Sequence, residues 1–325
     1  MSERFTSLEI GAGVGGQALG LERAGFDPVM VIDNDPHACR SLHQNRPEWN
    51  VLELDFNDFV GADYGLHTVD LISGGLPSQP YSVAGKQQGT EDRRDLLRAA
   101  VWLATELQPR AILLETTPSL LMPKFVRVRT DVEEELKHLD YVWSWMVLDA
   151  QNFGVPQTRK SCLLVTMRPD DFVFFEWPSP EAEAGATVGE TLRDSMASRG
   201  WPYADAWASL ANRVAPTIVG GSKNHGGADL GPTRTKRLWM ELAVNGHGLG
   251  NDVPAPDFVF DPSLERDGVP KLTVEQVMTL QGLPADWIVT GGKTARYKQV
   301  AQAFPPQLAE AVGKKISAAL ARGPR

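Results

Sequence analysis

The strongest constraint on the fold is an alternation. Short runs of apolar, β-prone residues at 5–10, 29–32, 51–54, 69–72 and 111–114 are separated by stretches of helical spacing at about 16–24, 36–44 and 94–107. In the last of these, Leu96, Ala100, Leu103 and Leu107 repeat on one face. A further helix is expected at about 128–139, with strands near 142–148 and 162–166. Strands alternating with helices imply an α/β fold, a parallel sheet covered by helices on both faces. Such sheets bind ligands beyond the carboxyl ends of their strands. From about residue 172 to 270 the periodicity fades, Pro and Gly become frequent, and Trp177, Trp201, Trp207 and Trp239 are scattered. A smaller, loop-rich domain is expected at 172–270, set into a larger one made of 1–171 and 271–325. The last helix, about 306–320, carries Leu308, Val312, Ile316 and Leu320 on one stripe, which should pack back onto the first domain.

Composition narrows the function classes. There is no apolar run of about 18 residues, so no membrane span is expected. The first residues carry no export leader, which points to the cytoplasm. Two cysteines, Cys39 and Cys162, make no disulfide framework and lack metal-ligand neighbours, so no metal is expected. A net charge of −9 argues weakly against a nucleic-acid partner. Charge is local, however. Basic groups gather at Arg93, Arg94 and Arg98, at Arg159 and Lys160, and at Arg234, Lys236 and Arg237, mostly in loops beside the motifs below.

Gly11, Gly13 and Gly16 spell G-x-G-x-x-G between the first strand and the first helix, and Asp33 ends the next strand. By itself this is a nucleotide-binding fingerprint, and an NAD-linked oxidoreductase is one reading of it. A second run follows the fourth strand: Gly74-Gly75-Leu76-Pro77-Ser78-Gln79-Pro80-Tyr81-Ser82, then Arg93 and Arg94. A glycine pair and two prolines leave a strand sharply and then hold a stiff course. Glu115 ends the fifth strand in Glu-Thr-Thr-Pro. Further on come Phe153-Gly154-Val155-Pro156-Gln157-Thr158-Arg159-Lys160-Ser161 and Ala301-Gln302-Ala303-Phe304-Pro305-Pro306.

In this order the motifs resemble those of the S-adenosylmethionine-dependent DNA (cytosine-5)-methyltransferases, whose catalytic loop reads Gly-Gly-x-Pro-Cys-Gln-Pro-Phe-Ser. The resemblance covers nearly the whole chain. It implies a Rossmann-like, mostly parallel methyltransferase sheet plus a smaller target-recognition domain. It also implies S-adenosyl-L-methionine as cofactor and double-stranded DNA as partner. A monomer is expected, with a cognate restriction endonuclease as a partner the resemblance leaves open.

Carried over residue by residue, the cofactor set is Glu9, Gly11, Ala12, Gly13, Gly15, Gly16, Asp33, Asn34, Asp55, Phe56, Gly75, Pro77, Gln302 and Ala303. Asp33 falls to the ribose hydroxyls and Asp55 to the adenine amino group. The DNA-facing set is Gln79, Ser82, Arg94, Gln157, Lys223 and Arg234. The catalytic set is Ser78, Glu115, Arg159 and Ser161. Family members add a Cys thiolate to C6 of a cytosine swung out of the duplex, so that C5 becomes enamine-like and takes the methyl group. A Glu serves as acid at the N3 edge.

Four of the motif sites depart together. Ser78 stands for the nucleophilic Cys, Thr116 for Asn, Ser161 for the second Arg of the Arg-x-Arg motif, and Ala301-Gln302 for Gly-Asn. A serine hydroxyl needs an adjacent base where a thiol ionises readily. The resemblance therefore leaves two readings of activity: an enzyme impaired at Ser78, or a non-catalytic relative that binds cofactor and DNA.

Overall fold

The computed structural model describes residues 4–75, 96–180, 185–219 and 227–324. Seven strands form one sheet: β1 (Phe5–Ile10), β2 (Phe26–Asp33), β3 (Val51–Glu53), β4 (Leu71–Gly75), β5 (Ala111–Thr116), β6 (Val142–Asp149) and β7 (Lys160–Met167). Their order is β3-β2-β1-β4-β5-β7-β6. The pairs from β3 to β5 are parallel, and β7 runs antiparallel to β5. The helices are α1 (Gly16–Arg23), α2 (Pro36–Asn45), α3 (Leu96–Leu107), α4 (Val126–His138), the short α5 (Pro169–Phe172), α6 (Val188–Ala197), α7 (Ala204–Leu210), α8 (Thr233–Met240), α9 (Val274–Leu280), α10 (Lys293–Gln302) and α11 (Pro306–Leu320).

Local chemistry explains where these elements start. Asp35 caps α2 by accepting from the His37 amide, and Pro36 needs no amide partner in the first turn. Thr187 and Glu190 close a capping box on α6, and Thr273 and Gln276 close another on α9. Both lie where the sequence reads as loop-rich or only beginning to regain order. α6, α7 and α8 fall inside the stretch expected to be loop-rich, and most of its described residues lie outside helices and strands, as expected.

The chain divides into two compact units. One comprises Met1–Leu148, Lys160–Ser179 and Leu308–Arg325; the other comprises Asp149–Arg159 and Pro180–Gln307. In the first, Leu8, Ile10, Ile32, Ile72, Ile112 and Leu114 of the sheet meet Leu97, Leu103 and Leu107 of α3 and Val128, Val132 and Leu136 of α4. Burial of this apolar surface supplies the main driving force. The predicted stripe on α11 is buried, and a methyl group at Gly313 would meet Leu21 of α1 and Ala24 just past its end. In the second unit Trp207 and Trp239 are fully buried, and the Trp207 indole donates to the Ala243 carbonyl at 3.0 Å.

Gly74 and Gly75, expected to leave the fourth strand, are its last two residues. The reason is a close approach. A Cβ on Gly74 would lie 2.6 Å from Ile10 Cγ1 and 2.8 Å from the Ile10 carbonyl oxygen. Only glycine lets β4 lie flush against the end of β1. Gly74→Ala should therefore cost about 1–3 kcal/mol of stability, the range for overpacking a tight interior. Urea denaturation of the two forms reads this directly, and an unchanged midpoint would refute the close approach.

Candidate functional site

The carboxyl ends of β1, β2, β4 and β5 carry the first unit's motif residues. After Ile10 the backbone turns through Gly11, Gly13 and Gly15, at φ of 62°, 56° and 88°. Those angles strain any residue with a Cβ. The turn is fixed by Ala12 donating to the Ile32 carbonyl at 3.1 Å and Gly15 to the Ala12 carbonyl at 3.0 Å. Asp33 closes it: Oδ2 accepts from the Gly13 amide at 2.7 Å and Oδ1 from the Asp35 amide at 2.8 Å. Nothing lies within 4 Å of the point a Gly13 Cβ would occupy, so that side of the turn is open. Ala12 and Gly16 are buried.

Asn34 is exposed just past β2 and donates to Asp55 at 3.4 Å. The Asn57 amide and side chain both donate to Asp55, and these bonds hold its carboxyl below the usual range. Phe56 is buried beside it.

Glu9 is 1 % exposed. Burial pushes its carboxyl up from 4.5 to about 8, against the bond from Ser73 that favours the charge. Ser73 Oγ lies 3.3 Å from Oε2. The carboxyl therefore ties β4 to β1 through Ser73. Gln17 is 3 % exposed with neither amide atom bonded. Sequence reasoning missed both Ser73 and Gln17. The only signal was a polar side chain at a position that apolar periodicity would fill.

At β5, Glu115 is half-buried and its Oε1 accepts from Ser161 Oγ at 2.7 Å. The antiparallel register, Glu115 opposite Leu163 and Thr116 opposite Cys162, brings the two together. Lys160 is exposed while Ser161 is 1 % exposed, as alternation predicts. The hydroxyl of Thr116 is buried without a hydrogen-bond partner. Cys162 is fully buried, and that burial, with the Glu115 charge, pushes its thiol up to about 12. It is a packing residue and supplies no thiolate in place of Ser78.

In the second unit Gln157 is fully buried. Its Nε2 donates to Gln281 Oε1 at 2.7 Å and its Oε1 accepts from the Ile218 amide at 2.8 Å. Expected against DNA, its amide is instead spent inside the protein. Arg159 Nη1 donates to the carbonyls of Ile218 at 3.3 Å and Ala301 at 3.2 Å, bracing this unit internally. Gln302 is exposed at the end of α10, and the Ala303 carbonyl accepts from Gln281. Arg234 is exposed on α8. Pro77, Ser78, Gln79, Ser82, Arg94 and Lys223 lie outside the described residues. Among the described residues no cluster of three metal-ligating side chains occurs, and no helix is long and apolar enough to cross a membrane.

Tested against S-adenosylmethionine, the first unit's residues fit. Asp33 and Asp55 offer acceptors suited to a diol and an amino group. The open side of Gly13 leaves room for a ligand against backbone, and the orphaned amide of Gln17 lacks a partner.

Comparison with known proteins bears on the same residues. The profile of C-5 cytosine-specific DNA methylases matches residues 5–318. The type II methyltransferase M.NaeI of Lentzea aerocolonigenes is 46% identical over 315 residues, 96% of this chain and 75% of that protein. M.NgoMIV of Neisseria gonorrhoeae is 43% identical over 320 residues, 98% of each. Among solved structures, a putative DNA modification methyltransferase encoded within an E. coli prophage superposes with a TM-score of 0.66 at 19% identity, covering 98% of this chain and 99% of that one. A Spodoptera frugiperda DNMT2 mutant superposes at 0.65 with 15% identity, covering 96% and 99%. At such identities these structures speak for the fold.

Proposed function

The chain belongs to the C-5 cytosine-specific DNA methylase family, and from that premise we propose that it methylates C5 of a cytosine in one specific duplex sequence, at a rate limited by Ser78. The family match closes the oxidoreductase reading of the glycine turn. Family members use S-adenosylmethionine, which when bound supplies an electrophilic methyl group on a sulfonium.

The chain's own residues divide the remaining work. Gly11, Ala12, Gly13, Gly15 and Gly16 present backbone, and Asp33 and Asp55 present carboxylates, to the cofactor. Glu115 holds the N3 edge of the extruded base and gives it a proton as the ring is attacked. Ser161 keeps the Glu115 carboxyl in place. Ser78 stands where the attacking group must be, and a hydroxyl there needs a base to take its proton. Arg234 meets DNA from the second unit. The observation that carries this reading is the Ser161–Glu115 bond at 2.7 Å. A carboxyl at the end of a buried strand is held by a small neutral group where an Arg is usual, so the acid is kept while the cation is lost.

We place the protein in the cytoplasm as a monomer, paired with a cognate restriction endonuclease. For the endonuclease the support is the type II naming of its relatives M.NaeI and M.NgoMIV.

The test is mass spectrometry of nucleosides after duplex DNA of mixed sequence is incubated with the protein and methyl-labelled S-adenosylmethionine. Labelled 5-methyldeoxycytidine is expected, and none from Glu115→Gln. Label on an exocyclic nitrogen would overturn the reaction assigned. Tight binding of cofactor and DNA with no product would favour the non-catalytic relative.

A further inference from the structure

Gln17 is the second residue of α1 and is 3 % exposed, yet neither Oε1 nor Nε2 has a hydrogen-bond partner. A buried amide that bonds to nothing is destabilising, and such a group marks a missing partner. Its position narrows what that partner is. A Cβ on Gly75 would lie 3.9 Å from Gln17 Oε1 and 3.7 Å from the Gly11 carbonyl. The amide therefore sits where the ends of β1 and β4 meet. From β1 the sheet continues through β2 to β3, and from β4 it continues to β5. This is the point where strand order reverses, the usual ligand crevice of such sheets.

A carboxamide donates and accepts at once. Its natural complement is a group with both an acceptor and a donor, such as the carboxylate and ammonium of a free amino acid. The Glu9 carboxyl accepts from Ser73 through Oε2, while its Oε1 is, like the Gln17 amide, buried without a hydrogen-bond partner. The first turn of α1 also starts at Gly15 with no side-chain cap, so acceptors are favoured there.

We propose that the Gln17 carboxamide binds the α-amino-acid end of S-adenosylmethionine, and so lets the protein distinguish the whole cofactor from nucleoside fragments that lack that end. This rests on the cofactor assigned above.

The test is calorimetric titration of the full chain with S-adenosylhomocysteine and with 5′-methylthioadenosine, which shares the nucleoside and thioether but has no amino acid. Gln17→Leu should weaken S-adenosylhomocysteine about tenfold or more, the loss typical of a hydrogen bond to a charged group. It should leave methylthioadenosine within about twofold. Thermal melting of the free protein should not fall, because an orphaned amide has been removed. Gln17→Met repeats the measurement should the branched side chain pack badly. Equal weakening of both ligands, or of neither, overturns the proposal. Failure of the wild type to bind S-adenosylhomocysteine at all instead removes the cofactor reading, and the proposal with it.

Discussion

Ser78→Cys should raise the yield of 5-methyldeoxycytidine by about 10³-fold or more. Removing an enzyme's nucleophile typically costs on the order of 10⁶ in turnover, and restoring it recovers the part not limited elsewhere. A thiol ionises near pH 8.5 and attacks without help, whereas a hydroxyl waits for a base. None of the matched motifs supplies a histidine for that task. The gain should still stop short of a relative that has the usual Cys. Ser161 remains the group bonded to Glu115, and Thr116 remains a short side chain where an amide is usual. Each such lost contact is worth about 2–4 kcal/mol if it resembles the loss of an oxyanion donor. Single-turnover assays with saturating DNA and labelled cofactor measure the difference. Identical traces from both forms would end the assignment of residue 78 as nucleophile. Full family turnover by the single variant would show that positions 116 and 161 do not matter.

Glu9→Gln should flatten the stability of the free protein between about pH 4.5 and pH 8. The Glu9 carboxyl is raised from 4.5 to about 8 by burial. A carboxyl raised in this way is most favourable to folding while neutral in both states, below pH 4.5. As pH climbs toward 8 the unfolded chain ionises and the folded one does not, so stability falls through that window and levels off above it. At about 1.4 kcal/mol per pKa step, the full loss is on the order of 5 kcal/mol. Gln keeps the shape and an acceptor for Ser73 but never ionises. Urea midpoints at several pH values should converge near pH 4.5 and diverge steadily toward pH 8, with the variant higher. Parallel curves would mean that Glu9 is charged in the folded protein.

How far the residues could be read in advance depends on how local each feature is. The strand runs and the glycine turn are local, and they appear nearly where expected. β2 begins earlier than its apolar run because residues 26–28, including Pro28, pair with Phe5, Thr6 and Ser7 just before a register shift. A proline in an inner strand is tolerated at such an irregularity, but nothing near Pro28 announces it. Glu115 could be placed at a strand end from the sequence. Its partner could not, because Ser161 reaches it only through the antiparallel register of β7. Gln157 was misplaced for the opposite reason. A motif says which residues travel together, not which face inward, and the contacts that bury this amide come from residues 218 and 281. The helices of the second unit are short, and α7 and α8 have no side-chain cap. The Thr187–Glu190 and Thr273–Gln276 pairings alone were spelled out ahead of their helices, α6 and α9.

The strand order also has a consequence for biosynthesis. β6 leaves the ribosome before β7, yet β7 is the strand that joins it to β5. α11, whose Leu308, Val312 and Ile316 are entirely buried, is made after every other element of the described residues. A nascent chain must therefore carry an unpaired edge past residue 149 and an uncovered apolar surface until α11 has emerged. Such an intermediate is prone to aggregate, so recovery of folded protein should depend on chaperone supply and growth temperature more than the finished molecule's stability would suggest.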